Sequence, residues 1–339
     1  MNKSTRIDSK QLAILVGASL LTDSFIQPFG RVDTIHSAQF GIVCAAAQAL
    51  LFAALFCFLR RHSQAILQHK ITTGLLALGL LISIALEIIQ GERFYNYVIQ
   101  SKLSIGIFLG IVFVAAFYGV YSGLDALSRT AAIILSLTVF SVLMLSVSIL
   151  PQLHFTNLQP VCWRISTVTN TVLSQIYLPP ELFFWTLLLA QEPREQNTHL
   201  QTVLICLVSA STIFSLLGEM TLGEVYQEQE QPLFTIARLG GISVFRRLDA
   251  LHVSVWLLLF LLKVTFYFSM LVLTVKKLFP LLKNRSPYYV SVAAVLCVFL
   301  VAWGQAENTA YFIQQGLLVI LLIFVSIIPK QRRKSNEAN

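Results

Sequence analysis

One stretch near the middle of the chain limits its possible folds more than any other. It runs from Thr171 to Ala190, TVLSQIYLPPELFFWTLLLA, and is long enough to cross a bilayer. A proline pair and an acid, Pro179, Pro180 and Glu181, lie at its centre. Pro180 has no backbone N–H, and each proline disfavours helix in the residue before it, so a continuous helix is excluded here.

This break leaves backbone polar groups unpaired near Tyr177 and Leu178. Lipid offers no partners for such groups, so irregular backbone at this depth occurs only where protein buries it or where it lines a cavity. The second half of the stretch restarts with proline and an acid in its first turn, which helix N-termini favour. We therefore predict a binding site at the break, near the middle of the membrane. A proline-kinked helix without a ligand is the alternative.

Composition predicts a polytopic membrane protein. Of the 339 residues, 56% are hydrophobic and 12% are charged, and the mean hydropathy is +0.74. Soluble domains carry about twice that share of charge, so an ordinary soluble domain is excluded. We predict that each of ten apolar runs forms a transmembrane helix. The runs are residues 12–28, 40–59, 71–89, 105–120, 131–150, 172–190, 203–217, 253–275, 290–303 and 311–328.

The distribution of lysine and arginine predicts the topology, because these residues stay on the cytoplasmic side of membrane proteins. With the N-terminus inside, 16 of the 24 basic residues face the cytoplasm, seven lie outside and Lys263 lies within the membrane. Residues 1–10 and 329–339 are therefore expected in the cytoplasm. The net charge of +8 reflects this topology and does not indicate nucleic-acid binding. The first apolar run lacks a signal-peptide cleavage site and should remain as the first span.

The first apolar run resembles the broken stretch in one respect. The small residues Gly17 to Ser19 are followed by the acid Asp23 and then by Pro28, which we interpret as a second interrupted helix. If residues 11–150 and 169–328 are two halves of five helices, the interrupted helix comes first in each half. Transporters with an inverted repeat show this pattern, with the site at the repeat interface. We predict a single all-α transmembrane domain of ten helices, in which helices 1 and 6 are broken.

Lys263 is the most informative single residue, because it lies about halfway along the apolar run from His252 to Val275. An ionisable residue inside a transmembrane helix marks a functional site by default. Steps of three and four residues place other side chains on its helix face, which we expect to point into the bundle. They are His252, Trp256, Phe260, Tyr267 and Met270. The alternative is a structural lysine neutralised by a neighbouring acid. Glu87, near the outer end of its run, is interpreted as an acid at the membrane interface.

Three charged residues, Asp23, Glu181 and Lys263, lie well inside different apolar runs. Unpaired charges are costly there, so we expect the three to share one polar cavity. Their sum is minus one if all are ionised, so either one carboxylate is protonated or the site accepts an ammonium group. A zwitterionic amino acid fits, with its amino group on an acid and its carboxylate on Lys263 or on a helix N-terminus. The predicted ligand-binding residues are Gly17, Ser19, Asp23, Tyr177, Leu178, Pro179, Glu181, Lys263 and Tyr267.

The sequence carries no motif for catalysis. Patterns of the types G-x-S-x-G, H-E-x-x-H and G-x-x-x-x-G-K-[ST] are absent, and the six histidines are scattered. The five cysteines show neither a disulfide framework nor a metal-binding spacing. We therefore expect no enzymatic activity, no cofactor and no metal.

Several segments resemble one known family. The segment around Lys263, PLFTIARLGGISVFRRLDALHVSVWLLLFLLKVTFYFSM, is similar to one in which B subunits of spore germinant receptors carry an R-L-D-A-like turn, a tryptophan and then a lysine. YGVYSGLDALSRTA resembles the connection between the fourth and fifth spans of that family, and LPPELFFWTLL resembles its broken sixth span. SKQLAILV resembles its opening. The likeness covers almost the whole chain.

The resemblance implies the amino acid, polyamine and organocation transporter superfamily, with ten helices in a five-plus-five inverted repeat of the LeuT-like fold. It implies a protein of the spore inner membrane that senses a small nutrient, such as an amino acid, together with A and C receptor subunits. We accordingly expect ligand sensing within a germinant receptor, with the nutrient bound between spans one, six and eight. The alternative is a proton-coupled amino-acid transporter that acts alone.

Overall fold

The computed structural model describes residues 7–26, 38–99, 104–158, 166, 168–169, 172, 177–191, 199–227, 229, 231–240, 249–282, 286–303 and 307–327. Within these ranges all regular elements are helical. The α-helices are α1 (Ser9–Ile26), α2 (Ala38–Gln68), α3 (Lys70–Ile99), α4 (Ile105–Ser122), α5 (Leu124–Ile149), α6 (Pro180–Gln191), α7 (Leu200–Leu222), α8 (Pro232–Leu239), α9 (Asp249–Leu278), α10 (Ser286–Trp303) and α11 (Glu307–Ile327).

The helices form an integral membrane bundle. Among the described residues, seven helices are long and apolar enough to cross a membrane, namely α2, α3, α4, α5, α7, α9 and α11. The helices α6 and α10 are apolar but shorter. The outer face of α4 exposes Ile107, Ile111 and Val114, which suits contact with lipid rather than water. Helix bounds overlap all ten predicted apolar runs, but the count of ten spans stays a prediction.

Helix α9 is the centre of this bundle. It packs against α1, α3, α4, α5 and α10, and every side chain from Leu262 to Val272 is buried. Two neighbours approach it closely at glycines. A Cβ atom on Gly119 of α4 would lie 2.2 Å from Cγ2 of Thr265, and one on Gly91 of α3 would lie 2.5 Å from the Phe260 ring. The absence of side chains at these two positions therefore allows α3 and α4 to pack tightly on α9.

The structure contains the break predicted from the proline pair. Residues 177–179 are not helical, and α6 begins at Pro180 with Glu181 in its first turn. Proline suits the first position of a helix, where its missing N–H would have no partner within the helix. The backbone N–H of Leu182 donates to the carbonyl of Pro179 at 3.3 Å, which closes the first turn. Residues 166, 168, 169 and 172, before the break, are helical.

The predicted interruption of the first helix is not present between Ser9 and Ile26. Helix α1 runs from Ser9 to Ile26 without a break, and the hydroxyl of Thr22 donates to the carbonyl of Ala18 within it. Small residues lower the cost of close packing and do not force a break as proline does. A Cβ atom on Gly17 would lie 3.7 Å from Val203 of α7, so this glycine lies at a contact between two helices. Pro28 lies outside the described residues. The division into related halves, residues 11–150 and 169–328, stays a prediction.

Candidate functional site

The candidate site is a cluster of charged side chains around Lys263, at the middle of α9. The lysine side chain is 1% exposed, and its ammonium group contacts carboxylates from three other helices. It donates to Oδ1 of Asp23 on α1, and it lies 2.5 Å from Oε1 of Glu87 on α3. Oε1 of Glu181, in the first turn of α6, is 3.9 Å away. Four helices that are distant in sequence thus meet at one buried cation.

Helix α1 contributes two polar groups because Ser19 and Asp23 are four residues apart and share a face. The hydroxyl of Ser19 donates to Oε1 of Glu181 at 2.9 Å. The hydroxyl of Tyr177, just before α6, donates to Oδ2 of Asp23 at 3.4 Å. Both oxygens of Asp23 therefore accept hydrogen bonds, one from Lys263 and one from Tyr177. These contacts tie α1 to both sides of the break.

The unpaired backbone groups predicted at the break are bonded by two glutamine side chains. Gln48 of α2 donates from Nε2 to the carbonyl of Tyr177 at 2.8 Å and accepts from its N–H at 3.4 Å. Gln315 of α11 accepts from the N–H of Leu178 at 2.8 Å and donates to its carbonyl at 3.4 Å. Each amide thus satisfies one donor and one acceptor, as buried irregular backbone requires. The break is held by protein, and its backbone does not need a ligand to be satisfied.

Aromatic side chains precede and follow Lys263 along α9. Nζ of Lys263 lies 5.4 Å from the centroid of the Tyr267 ring, a distance suited to a cation–π interaction. Tyr267 in turn meets Phe184 of α6 edge to face, with centroids 6.1 Å apart. Towards the N-terminus of α9, the rings of Trp256 and Phe260 stack at 5.3 Å. Lys263 is itself buried, and electrostatic interactions are stronger in such surroundings than in water.

The position of Glu87 corrects the sequence interpretation. It was expected at the membrane interface, but its side chain is only 12% exposed and contacts Lys263. The apolar run ends near residue 89, whereas α3 continues to Ile99, so Glu87 lies well inside a long helix. The two glutamines at the break were also missed. Their amides stand within apolar runs, and that position is the signal that could have indicated a buried role.

The structure brings together six of the nine predicted ligand-binding residues. Their side chains form or line the charged cluster: Ser19, Asp23, Tyr177, Glu181, Lys263 and Tyr267. Leu178 and Pro179 form the break itself, beside the cluster. Gly17 lies apart from the cluster, against Val203 of α7. Most of the predicted residues therefore lie together in the fold. The cluster also includes Glu87, whereas Gly17 lies at a separate contact between helices.

The charges of this cluster do not balance. Three carboxylates surround one ammonium group, so the sum is minus two when all four are ionised. One oxygen each of Glu87 and Glu181, Oε2, is buried and has no hydrogen-bond partner among the described residues. Such groups are costly in a buried site unless they bind a proton or a cation. The arrangement is therefore suited to binding positive charge.

One small cavity lies close to the cluster. A cavity of about 20 Å³ lies beside the break, lined by Leu20, Gln48, Phe52, Tyr177 and Ser211 among others. This volume is room for about one water molecule. The hydroxyl of Ser211 is buried in its wall and has no hydrogen-bond partner among the described residues. A ligand larger than water would enter this cavity only if the side chains around it moved apart.

The fold has a counterpart among solved structures. The chain resembles MHP1, a transporter of the nucleobase-cation-symport-1 family in a closed conformation with bromovinylhydantoin bound. The two share 15% sequence identity, and the similarity covers 94% of this chain and 77% of that chain with a TM-score of 0.61. At this level of identity, the similarity shows a common fold. No curated protein matches the chain.

The family of the chain follows from its sequence. The family model described as spore germination protein, Spore_permease, matches residues 47–310. The matched segment includes Glu87, Glu181 and Lys263, together with the break, and covers well over half of the chain. This match confirms the resemblance predicted from the segments around the break and Lys263. The chain therefore belongs to the spore germination protein family.

Proposed function

We propose that this chain is the integral membrane B-type subunit of a nutrient germinant receptor. It binds an amino acid or a similar small nutrient at the cluster around Lys263, and this binding triggers germination. Membership of the spore germination family supports the biological role. The single observation that carries the site is the buried ammonium group of Lys263 with carboxylates from α1, α3 and α6 around it. Buried ionisable residues of membrane helices mark ligand and ion sites by default.

The proposed pose of the nutrient follows from the charges. Its amino group meets the free carboxylate oxygens of Glu87 and Glu181, which have no partner among the described residues. Its carboxylate meets Lys263 or the N-terminus of α6, where unpaired N–H groups favour negative charge. Tyr177 and Tyr267 then enclose the nutrient from the break and from α9.

The proposed assembly places this chain in the spore inner membrane with A and C subunits. Ten spans cross the membrane, residues 11–150 and 169–328 form the two halves, and both termini face the cytoplasm. The prevalence of basic residues in the predicted cytoplasmic segments supports this orientation. The position of Lys263 near the centre of the 30-residue helix α9 supports a site near the membrane midplane. Catalysis has no part in this proposal.

A second candidate is a proton-coupled amino-acid transporter that acts alone. The observation that favours it is the common fold with MHP1, which is a transporter that has bromovinylhydantoin bound. In this case the same cluster would move its ligand across the membrane instead of reporting that the ligand is present.

Uptake into proteoliposomes distinguishes the two functions. The purified chain is reconstituted by itself, and accumulation of labelled amino acids is measured with and without a pH gradient. The receptor proposal predicts no accumulation above empty liposomes, and it predicts genes for A and C subunits beside the gene of this chain. Robust uptake driven by the pH gradient, without such neighbours, would overturn the receptor function in favour of the transporter.

A further inference from the structure

The charge of the cluster points beyond nutrient binding to the binding of protons. Lys263 supplies one positive charge, whereas Asp23, Glu87 and Glu181 supply three negative charges when ionised. Glu181 is fully buried and Lys263 nearly so. In such surroundings, an ionised carboxylate without a cation has a higher free energy than the same group with a proton bound. To be neutral, the cluster therefore needs positive charge that the described side chains do not supply.

The hydrogen bonds indicate which carboxyl groups take that charge. Both oxygens of Asp23 are engaged, one by Lys263 and one by the hydroxyl of Tyr177, and its side chain is 26% exposed. These contacts leave no free oxygen on Asp23. Glu87 and Glu181 each have one engaged oxygen, Oε1, and one free and buried oxygen, Oε2. The free oxygens are the atoms at which protons can be held.

We propose that Glu87 and Glu181 each hold a proton in the empty site, and that the ammonium group of a ligand takes the place of one of these protons. The proton leaves the carboxyl oxygen for water, and the ammonium N–H groups then donate to the carboxylate that remains. The second part rests on the proposed function, because it places the ligand's amino group at this cluster. The first part depends only on the charges of the chain.

Among the described residues, the other titratable groups in or beside the cluster come from four parts of the fold. Helix α1 supplies Asp23, and α9 supplies Lys263 and Tyr267. Tyr177 faces Asp23 and Glu181 from the break, and Tyr311 of α11 faces Tyr177 and Asp23. Among these described groups Lys263 is the single cation, and its ammonium group is already shared between Asp23 and Glu87. No second base faces the glutamates from these elements to replace the protons.

Infrared difference spectroscopy tests the first part on the full chain in lipid nanodiscs. A protonated carboxyl group shows a C=O stretch that an ionised carboxylate lacks. At neutral pH we expect two such bands from the cluster. Glu87→Gln should remove one and Glu181→Gln the other, whereas the matched control Glu92→Gln should keep both. Glu92 is on the same helix as Glu87 but accepts a hydrogen bond from Asn96 instead. Spectra in which neither substitution removes a band would overturn the proposal.

A variant that keeps the carboxyl group provides a second test in case Glu87→Gln misfolds. If Glu87→Gln does not purify as a single species, Glu87→Asp should shift the band without removing it. A band unchanged in Glu87→Asp would equally overturn the assignment to Glu87.

Methylammonium serves as the probe for the second part. Rising concentrations should bleach one of the two bands, and the concentration needed should fall about tenfold for each unit of rising pH, since one proton leaves per ammonium bound. Both bands persisting at saturating methylammonium would overturn the exchange. These spectra are independent of the test of the proposed function. A protein that shows both bands but no nutrient response would contradict the proposed function alone. A protein that responds to the nutrient but lacks the bands would contradict this inference alone.

Discussion

At the scale of residues, the charged cluster is organised around the buried ammonium group of Lys263. Lys263 is the one described base in contact with acids of three helices, so its removal leaves all three acids without their ammonium partner. Removing a carboxylate is different, because two acids still remain for one base. This asymmetry means that stability should respond more to the loss of the lysine than to the loss of either glutamate.

Melting temperatures of the purified chain at neutral pH test this asymmetry. Breaking a buried pair by deleting one partner typically costs about 3 to 5 kcal/mol, so we expect Lys263→Met to lower the melting temperature clearly. Glu87→Gln should have a smaller effect, because Lys263 keeps Asp23. Lys277→Met, an exposed lysine on the same helix, should have almost none. A larger effect of Glu87→Gln than of Lys263→Met would contradict the assigned role of the lysine.

The sequence indicated Asp23, Glu181 and Lys263, because charges well inside apolar runs are rare and costly. It did not indicate Glu87, because depth was inferred from where the apolar run ends. The polar residues that follow Glu87 remain in α3 as far as Ile99, so the end of the run was not the end of the helix. Hydropathy alone cannot distinguish the end of an apolar run from the end of a helix.

At the scale of elements, the break before α6 is stabilised by distant partners. The proline pair predicted the break from local sequence, but the side chains that satisfy it are 129 and 137 residues away. Such pairings depend on how α2 and α11 pack around α6, which local patterns do not contain. The same limit applies to α1, where Gly17 to Ser19 serve helix packing in a continuous helix.

Adjacent glutamines on α11 provide a matched test of the break. Gln315→Ala removes both bonds to the backbone of Leu178. A buried backbone group left without a partner costs about 1 to 3 kcal/mol, so we expect lower stability and a weaker nutrient response. Gln314→Ala removes a bond to the side chain of Ser83, whose hydroxyl still donates to Gly79. Its thermal stability and response should change less. Equal effects of the two changes would indicate that the glutamine at the break has no special role.

Two glycines on α4 test the packing around α9. Gly119→Ala would place a Cβ atom 2.2 Å from Thr265, whereas Gly110→Ala would meet nothing within 4 Å. Overpacking a buried contact typically costs about 1 to 3 kcal/mol, so we expect Gly119→Ala to lower the melting temperature and Gly110→Ala to leave it unchanged. The reverse order would show that α4 does not approach α9 at Gly119.

At the scale of the whole molecule, the bundle can act as a receptor only if its site faces a defined side of the membrane. With both termini in the cytoplasm, Cys162 should be labelled from outside by an impermeant thiol reagent. A cysteine introduced as Lys70→Cys, at the start of α3, should be protected until the membrane is opened. Mass spectrometry of the labelled chain measures both. Labelling of the introduced cysteine alone would invert the proposed topology and remove the support for two inverted halves.

The most direct test of a ligand site at Lys263 is the nutrient response of spores that carry Lys263→Met. This change keeps most of the side-chain volume and deletes the charge. Immunoblots first establish that the variant reaches normal levels in the spore membrane, and germination is then followed against nutrient concentration. We predict a receptor that assembles but is blind to the nutrient, because the cluster has lost the ammonium group that contacts its three acids. An unchanged response at the same nutrient concentration would show that Lys263 neither contacts the ligand nor holds the site together.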